Sequence, residues 1–225
     1  MLTKFAFRMV FFGESSVCWC LLSLVAIIEM EQDMQKLDNK VISITEAIFH
    51  ILKKTGETDK LKLIKLLYLA DKYHLLAYGR TITDDTYFAM QYGPVGSITK
   101  NVISFDDFNL TSDELNFISQ HIKKLGDTSL EAIDVKRIVD YSGLSETDVE
   151  ALDFVIKKFG DFSSAKLVKY THKYPEWSQH EKSLSSGSKR REELKTSELF
   201  SIVDNSFDLT QEHIETSKLI AQGKL

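Results

Sequence analysis

"KLIKLLYLADKYHLLAYGRTITDDTYFAMQYGPVG", running from Lys62 to Gly96, decides the fold of this chain. It opens as a helical pattern with two apolar faces: Leu63, Leu66, Ala70, Tyr73 and Ala77 on one, Ile64, Leu67, Leu75 and Tyr78 on another. A helix apolar on two sides must be covered over most of its surface. Lys62, Lys65 and Lys72 take the strip that remains. With Thr58 or Asp59 as its start and Gly79 as its left-handed stop, the pattern predicts a central buried helix over about 59–78. Beyond Gly79 the period becomes alternating: Phe88, Met90 and Tyr92 interleave with Tyr87, Ala89 and Gln91, and Asp84 and Asp85 supply turn residues. A small β-hairpin is expected there, its strand ended by Gly93-Pro94, with Ser97 capping a short helix to about Phe105.

Working outward, Ile44, Ala47, Ile48, Ile51 and Leu52 recur at helical spacing after Ser43. Thr111 and Glu114 stand in capping-box spacing ahead of "TSDELNFISQHIKKLG", which reads as one helix to Gly126. "LEAIDVKRIVDYSG", residues 130–143, is rich in β-branched residues and predicts one or two short strands. Ser145 and Asp148 open a further helix that stops at Gly160, and "SSAKLVKYTHKYPEW" gives a shorter one ending near Pro175. Residues 182–197 read as an exposed loop, and a terminal helix is expected over about 210–222. The chain is thus mainly α, in the α+β class: a helical domain around one central buried helix, with one or two short β-hairpins.

Composition sets limits on function. In 225 residues, 43% hydrophobic and 27% charged content suits one globular domain, and a net charge of −5 argues against a surface built to neutralise nucleic-acid phosphates. Cys18 and Cys20 both fall in the apolar N-terminal run, so the domain proper holds no thiol and no disulfide. That run, residues 1–33, carries Lys4 and Arg8 ahead of an uncharged stretch from Ser15 to Ile28. It is short for a membrane span and lacks a small-residue cleavage site. Three readings stand: an upstream stretch before a true start at Met30 or Met34, a membrane or export segment, or a core helix. The domain is placed at 34–225, and a membrane partner is expected only if residues 1–33 are genuine.

The chemical inventory holds no phosphate-binding glycine loop, no HExxH, no CxxC and no G-x-S-x-G. No cofactor or metal is expected. Asp71 and His74 stand three apart on the central helix, near Tyr68 and Tyr78, and read either as a buried acid–base pair or as a polar cluster that orients the helix. No nucleophile accompanies them. His172 and His180 lack the acidic or thiol companions of a metal motif. "KRREELK", Lys189 to Lys195, is basic at one end and acidic at the other, as solvated segments are.

The order of these pieces resembles the SocA-like antitoxin family, the Panacea domain. Its helix block is matched by Lys62, Leu63, Lys65, Leu66, Leu67, Tyr68, Ala70, His74, Leu75, Tyr78, Gly79 and Arg80, and its turn by Tyr92, Gly93, Pro94 and Val95. A second block is matched by Leu167, Thr171, His172 and Trp177. The likeness spans about Leu37 to Trp177, and residues 1–33 have no counterpart in it. It implies a cytoplasmic, phage-associated, non-catalytic module that neutralises a co-encoded protein toxin by direct complex formation, with delivery to a cytosolic protease as one variant, and no direct nucleic-acid partner. The residues it marks are Tyr68, Asp71, His74, Tyr78, Gly79, Tyr92, Gly93, Pro94, Thr171, His172 and Trp177. Two other classes remain open: a hydrolase using Asp71, His74 and His172, and a transcriptional autoregulator.

Overall fold

Helix starts follow local chemistry, because a short polar side chain takes an otherwise orphaned N–H of the first turn. In the computed structural model, which describes residues 37–134 and 141–224, Asp38 caps α1 (Asn39–Thr55) and Asp59 caps α2 (Lys60–Tyr78), accepting from the Lys62 N–H at 3.0 Å. Helix α3 (Ser97–Ser104) is capped differently from the expectation placed on Ser97. The Asp85 carboxylate reaches across and accepts from the N–H groups of Ile98 and Thr99 at 3.0 and 2.8 Å. Reciprocal capping boxes, Thr111 with Glu114 and Ser145 with Asp148, start α4 (Ser112–His121) and α5 (Glu146–Phe159). The segment 1–33 and the β-branched residues 135–140 lie outside the described residues.

Helix α2 is the axis of the fold. Leu63, Leu66, Leu67, Tyr68, Leu69 and Ala70 are wholly buried, and α5, α6 (Ser164–Thr171) and α9 (Gln211–Ala221) pack around the helix. Tyr73 stacks on Phe154 of α5 with ring centroids 4.2 Å apart, and Phe207 closes the cluster. Lys65 and Lys72 are also wholly buried, so the strip assigned to them does not face water. The remaining elements of the C-terminal half are α7 (Pro175–Ser178), α8 (Glu181–Ser185) and a 3-10 turn (Thr196–Phe200). Pro175 opens α7 after the chain breaks at Thr171, where one helix to Pro175 was expected.

Two small antiparallel sheets flank the helices. One has the order β1 (Thr58–Asp59), β5 (Ser129–Ala132), β4 (Ile122–Leu125). Helix α4 therefore ends at His121 instead of running to Gly126. Ile122–Leu125 pairs with Ser129–Ala132, which buries Ile122 and Leu130 together and leaves Lys123 and Lys124 in solvent. The second sheet has the order β3 (Gly93–Gly96), β2 (Tyr87–Met90), β6 (Glu192–Glu193). Gly93 and Pro94 thus open a strand instead of ending one. Proline is tolerated because β3 is an edge, where its missing N–H breaks no ladder bond. Within the expected loop 182–197, Leu184 and Leu194 are buried and Glu192–Glu193 pairs with β2, so apolar anchors hold this polar stretch against the domain. Overall the protein is mainly α with a few short strands. Among the described residues, no helix is long and apolar enough to cross a membrane.

Candidate functional site

The quoted stretch and the Thr171–Trp177 segment meet along one face of α2. Lys65, Tyr68 and Lys72 fall three and four residues apart and point to the same side, where α6, α7 and the hairpin cover them. At the inner end Glu176 of α7 is wholly enclosed. It accepts from the Tyr68 hydroxyl and the Lys72 ammonium on one oxygen, and from Ser201 on the other, each at 2.5 Å. Lys72 also donates to the Leu199 carbonyl at 2.8 Å and lies 4.2 Å from the Tyr174 ring centre. Burial lowers the Lys72 ammonium to about 8 even with Glu176 beside it, and raises the Tyr68 hydroxyl.

At the outer end Lys65 pairs with no carboxylate among the described residues. Its ammonium donates to the Pro94 carbonyl at 2.7 Å, and burial alone lowers it to about 7. Gly93, at φ +100°, is required here, because a Cβ would come within 2.8 Å of Lys65 Nζ and 2.9 Å of the Thr171 hydroxyl. The Trp177 indole N–H donates to the Met90 carbonyl at 2.8 Å and its ring lies flat on His172, centroids 3.4 Å apart. His172 Nε2 is buried without a hydrogen-bond partner among the described residues, and burial together with nearby Lys65 lowers the imidazole to about 4. Lys65, Gly93, Pro94, Thr171, His172 and Trp177 thus form one joint between helix, hairpin and second block.

Asp71 and His74 go to separate tasks. The Asp71 carboxylate accepts from the N–H groups of Ile82 and Thr83 at 2.8 and 3.0 Å, from the Thr83 hydroxyl, and from the Tyr87 hydroxyl at 2.8 Å. Burial raises it to about 6 against those bonds, and it fixes the turn after α2. His74 donates from Nδ1 to the Arg80 carbonyl at 2.8 Å, and its Nε2 lies 3.1 Å from the Thr147 hydroxyl and 3.0 Å from Asp148. Burial lowers its pKa, with the Arg80 and Asp148 contacts opposing. Asp71 and His74, read from the sequence as either an acid–base pair or a polar cluster, are two separate anchors, one toward the hairpin and one toward α5, and His172 stacks on Trp177 elsewhere. Tyr78 donates to Glu150 at 3.0 Å, and Tyr92 is 59% exposed at the hairpin tip. Among the described residues no cluster of histidine, cysteine and carboxylate could hold a metal.

Reading the residues in sequence placed Lys65 and Lys72 only on a leftover strip of the helix and did not mark them, Glu176 or Ser201 as site residues. The signal was present: two lysines seven apart flank Tyr68 on a helix whose other faces are apolar, so covering those faces encloses the lysines as well.

Lys65 carries a pH signature. Below about pH 7 both the folded and the unfolded chain keep its proton, so the burial penalty is fully felt. From there toward 10.5, its unperturbed value, the unfolded chain binds more protons than the folded one. Stability therefore rises with pH in that window, by at most about 1.4 kcal/mol per unit. Urea midpoints between pH 7 and 9 are expected to climb in the wild type and to climb less steeply in Lys65→Met, the remaining rise above about 8 belonging to Lys72, and equal slopes would show that Lys65 stays charged.

The model of one protein family, described as Antitoxin SocA-like, Panacea domain, matches residues 63–178, about half of the chain. That span begins in α2 and ends with α7, so it contains both blocks of the joint. No curated protein and no solved structure matches at a significant level.

Proposed function

This chain belongs to the SocA-like antitoxin family, the Panacea domain, and from that premise we propose that it neutralises a co-encoded protein toxin by forming a stoichiometric complex with it. The observation that carries the reading is where the polar residues of the matched span are spent. Tyr68, Asp71 and His74 tie α2 to α7, to the hairpin and to α5, and Trp177, stacked on His172, ties α7 to the hairpin. Groups arranged in this way make a rigid scaffold whose outer surface is free to bind. The hydrolase reading needs Asp71, His74 and His172 to converge on one substrate, and their partners hold them in three separate places.

The test is rescue of growth while the protein encoded beside this chain is expressed, read together with melting temperature and soluble level. Asp71→Ala and His74→Ala are expected to weaken protection only as far as they weaken folding. A catalytic pair behaves otherwise, losing about 10²–10⁴-fold in activity while the protein stays folded. A folded His74→Ala protein that binds the toxin yet fails to rescue growth would overturn simple sequestration.

A further inference from the structure

The basic run Lys189–Arg191 and the exposed tip of the β2–β3 hairpin have no part in the interior joint, and they lie together. Strand β6 pairs antiparallel to β2, with Phe88 opposite Glu193 and Ala89 opposite Glu192. The chain just before Glu192 therefore runs along the hairpin toward its tip. Arg191 sets its guanidinium 4.7 Å from the centre of the half-buried Phe88 ring, and Lys189 pairs with Glu192. Arg190 and Arg191 are exposed and pair with no carboxylate among the described residues. At the tip Tyr92 is 59% exposed on a turn that is held from beneath, by Lys65 on the Pro94 carbonyl and by Trp177 on the Met90 carbonyl. A tyrosine on a held turn, with two unpaired arginines on the segment that runs toward it, is the side-chain chemistry in which interface binding energy concentrates.

We propose that this surface, Tyr92 with Phe88, Arg190 and Arg191, is where the chain holds its protein partner, and that the partner presents an acidic segment to it. The proposal rests on the toxin-binding reading and adds the contact surface and its charge. Two features favour a carboxylate-bearing protein over nucleic acid. The chain as a whole is acidic, at −5, and the cationic patch is a single short run instead of a long groove following a phosphate backbone.

The experiment uses the full chain and the purified product of the adjacent reading frame, with affinity measured at low and high salt. Tyr92→Ala and the double variant Arg190→Glu/Arg191→Glu are each expected to bind at least about 10-fold more weakly, with melting temperatures near wild type because these side chains are exposed. The charge-reversed variant is also expected to lose most of the salt dependence, which the solvent-exposed arginines supply. Phe108→Ala, at a site 92% exposed that is no part of the proposed surface, is expected to bind like wild type. If the wild type binds and both surface variants match it within twofold, the surface is wrong and the toxin-binding reading stands. If the wild type does not bind the adjacent product, the reading fails and this surface with it. Binding of a single-stranded RNA oligonucleotide that is lost in the surface variants, with protein binding intact, would overturn the assignment in favour of nucleic acid.

Discussion

Replacing Glu176 with alanine lowers the stability of the folded chain by about 3–5 kcal/mol, the usual cost of removing one partner of a buried ion pair. The size follows from what is left behind. Lys72 keeps the Leu199 carbonyl and the face of the Tyr174 ring but no counter-charge, in a site with no access to water, and the hydroxyls of Tyr68 and Ser201 lose their acceptor. Lys72 escapes part of the penalty by giving up its proton, a loss that burial already makes cheaper by lowering it from the usual lysine range to about 8. That escape does nothing for the Tyr68 hydroxyl, which is wholly buried. The double variant Lys72→Met/Glu176→Leu is expected to be more stable than Glu176→Ala, since it removes both charges and fills the space with apolar atoms. Chemical denaturation of the three proteins checks this, and a Glu176→Ala midpoint equal to wild type would remove the network from the account of stability.

Gly79→Val is expected to cost at least about 2 kcal/mol and to loosen the C-terminal helix first. At φ +78° the backbone is left-handed, a conformation that costs a β-branched residue about 1–2 kcal/mol. A second contribution comes from contact: a Cβ at this position would lie 2.6 Å from the Ser217 carbonyl oxygen and against Ile220 of α9. Backbone cannot swing aside as a side-chain end can, so α9 has to move. Gly79→Asn separates the two effects, because asparagine accepts left-handed geometry yet still brings a Cβ. Amide exchange is expected to quicken across 211–221 in both variants, while the melting temperature falls further for valine. Unchanged exchange in α9 would show that the helix tolerates displacement.

Sequence pattern revealed the elements whose causes are local. Asp59, Gly79, the Thr111–Glu114 and Ser145–Asp148 boxes and the apolar faces of α2 all act within a few residues of themselves, and each helix they mark is present. What stayed hidden depends on distant partners. Ile122–Leu125 continues a helical pattern, and only pairing with Ser129–Ala132 turns it into a strand. The cap of α3 belongs to Asp85, thirteen residues upstream of Ile98, so no spacing rule points to it. Glu176 lies more than a hundred residues from Lys72, and in sequence it is one acid among many. At the site, the residues of the matched span were legible as a set, whereas their division into an outer joint, an inner ion pair and two separate anchors required the packing of α6, α7 and the hairpin.

The bond from Lys72 to the Leu199 carbonyl spans 127 residues of chain. Seen from the ribosome, the ammonium of Lys72 emerges long before the groups that will enclose it, and Glu176, Leu199 and Ser201 follow in that order. The interior of this protein therefore closes late in its synthesis, once the segment beyond the family-matched span has been made. Contacts of such separation also slow spontaneous folding, because a long loop must be drawn together before any of them forms. A nascent or clipped chain ending near Ser178 would hold both matched blocks and Glu176, yet lack the Leu199 carbonyl and the Ser201 hydroxyl that complete the hydrogen bonding of the inner ion pair.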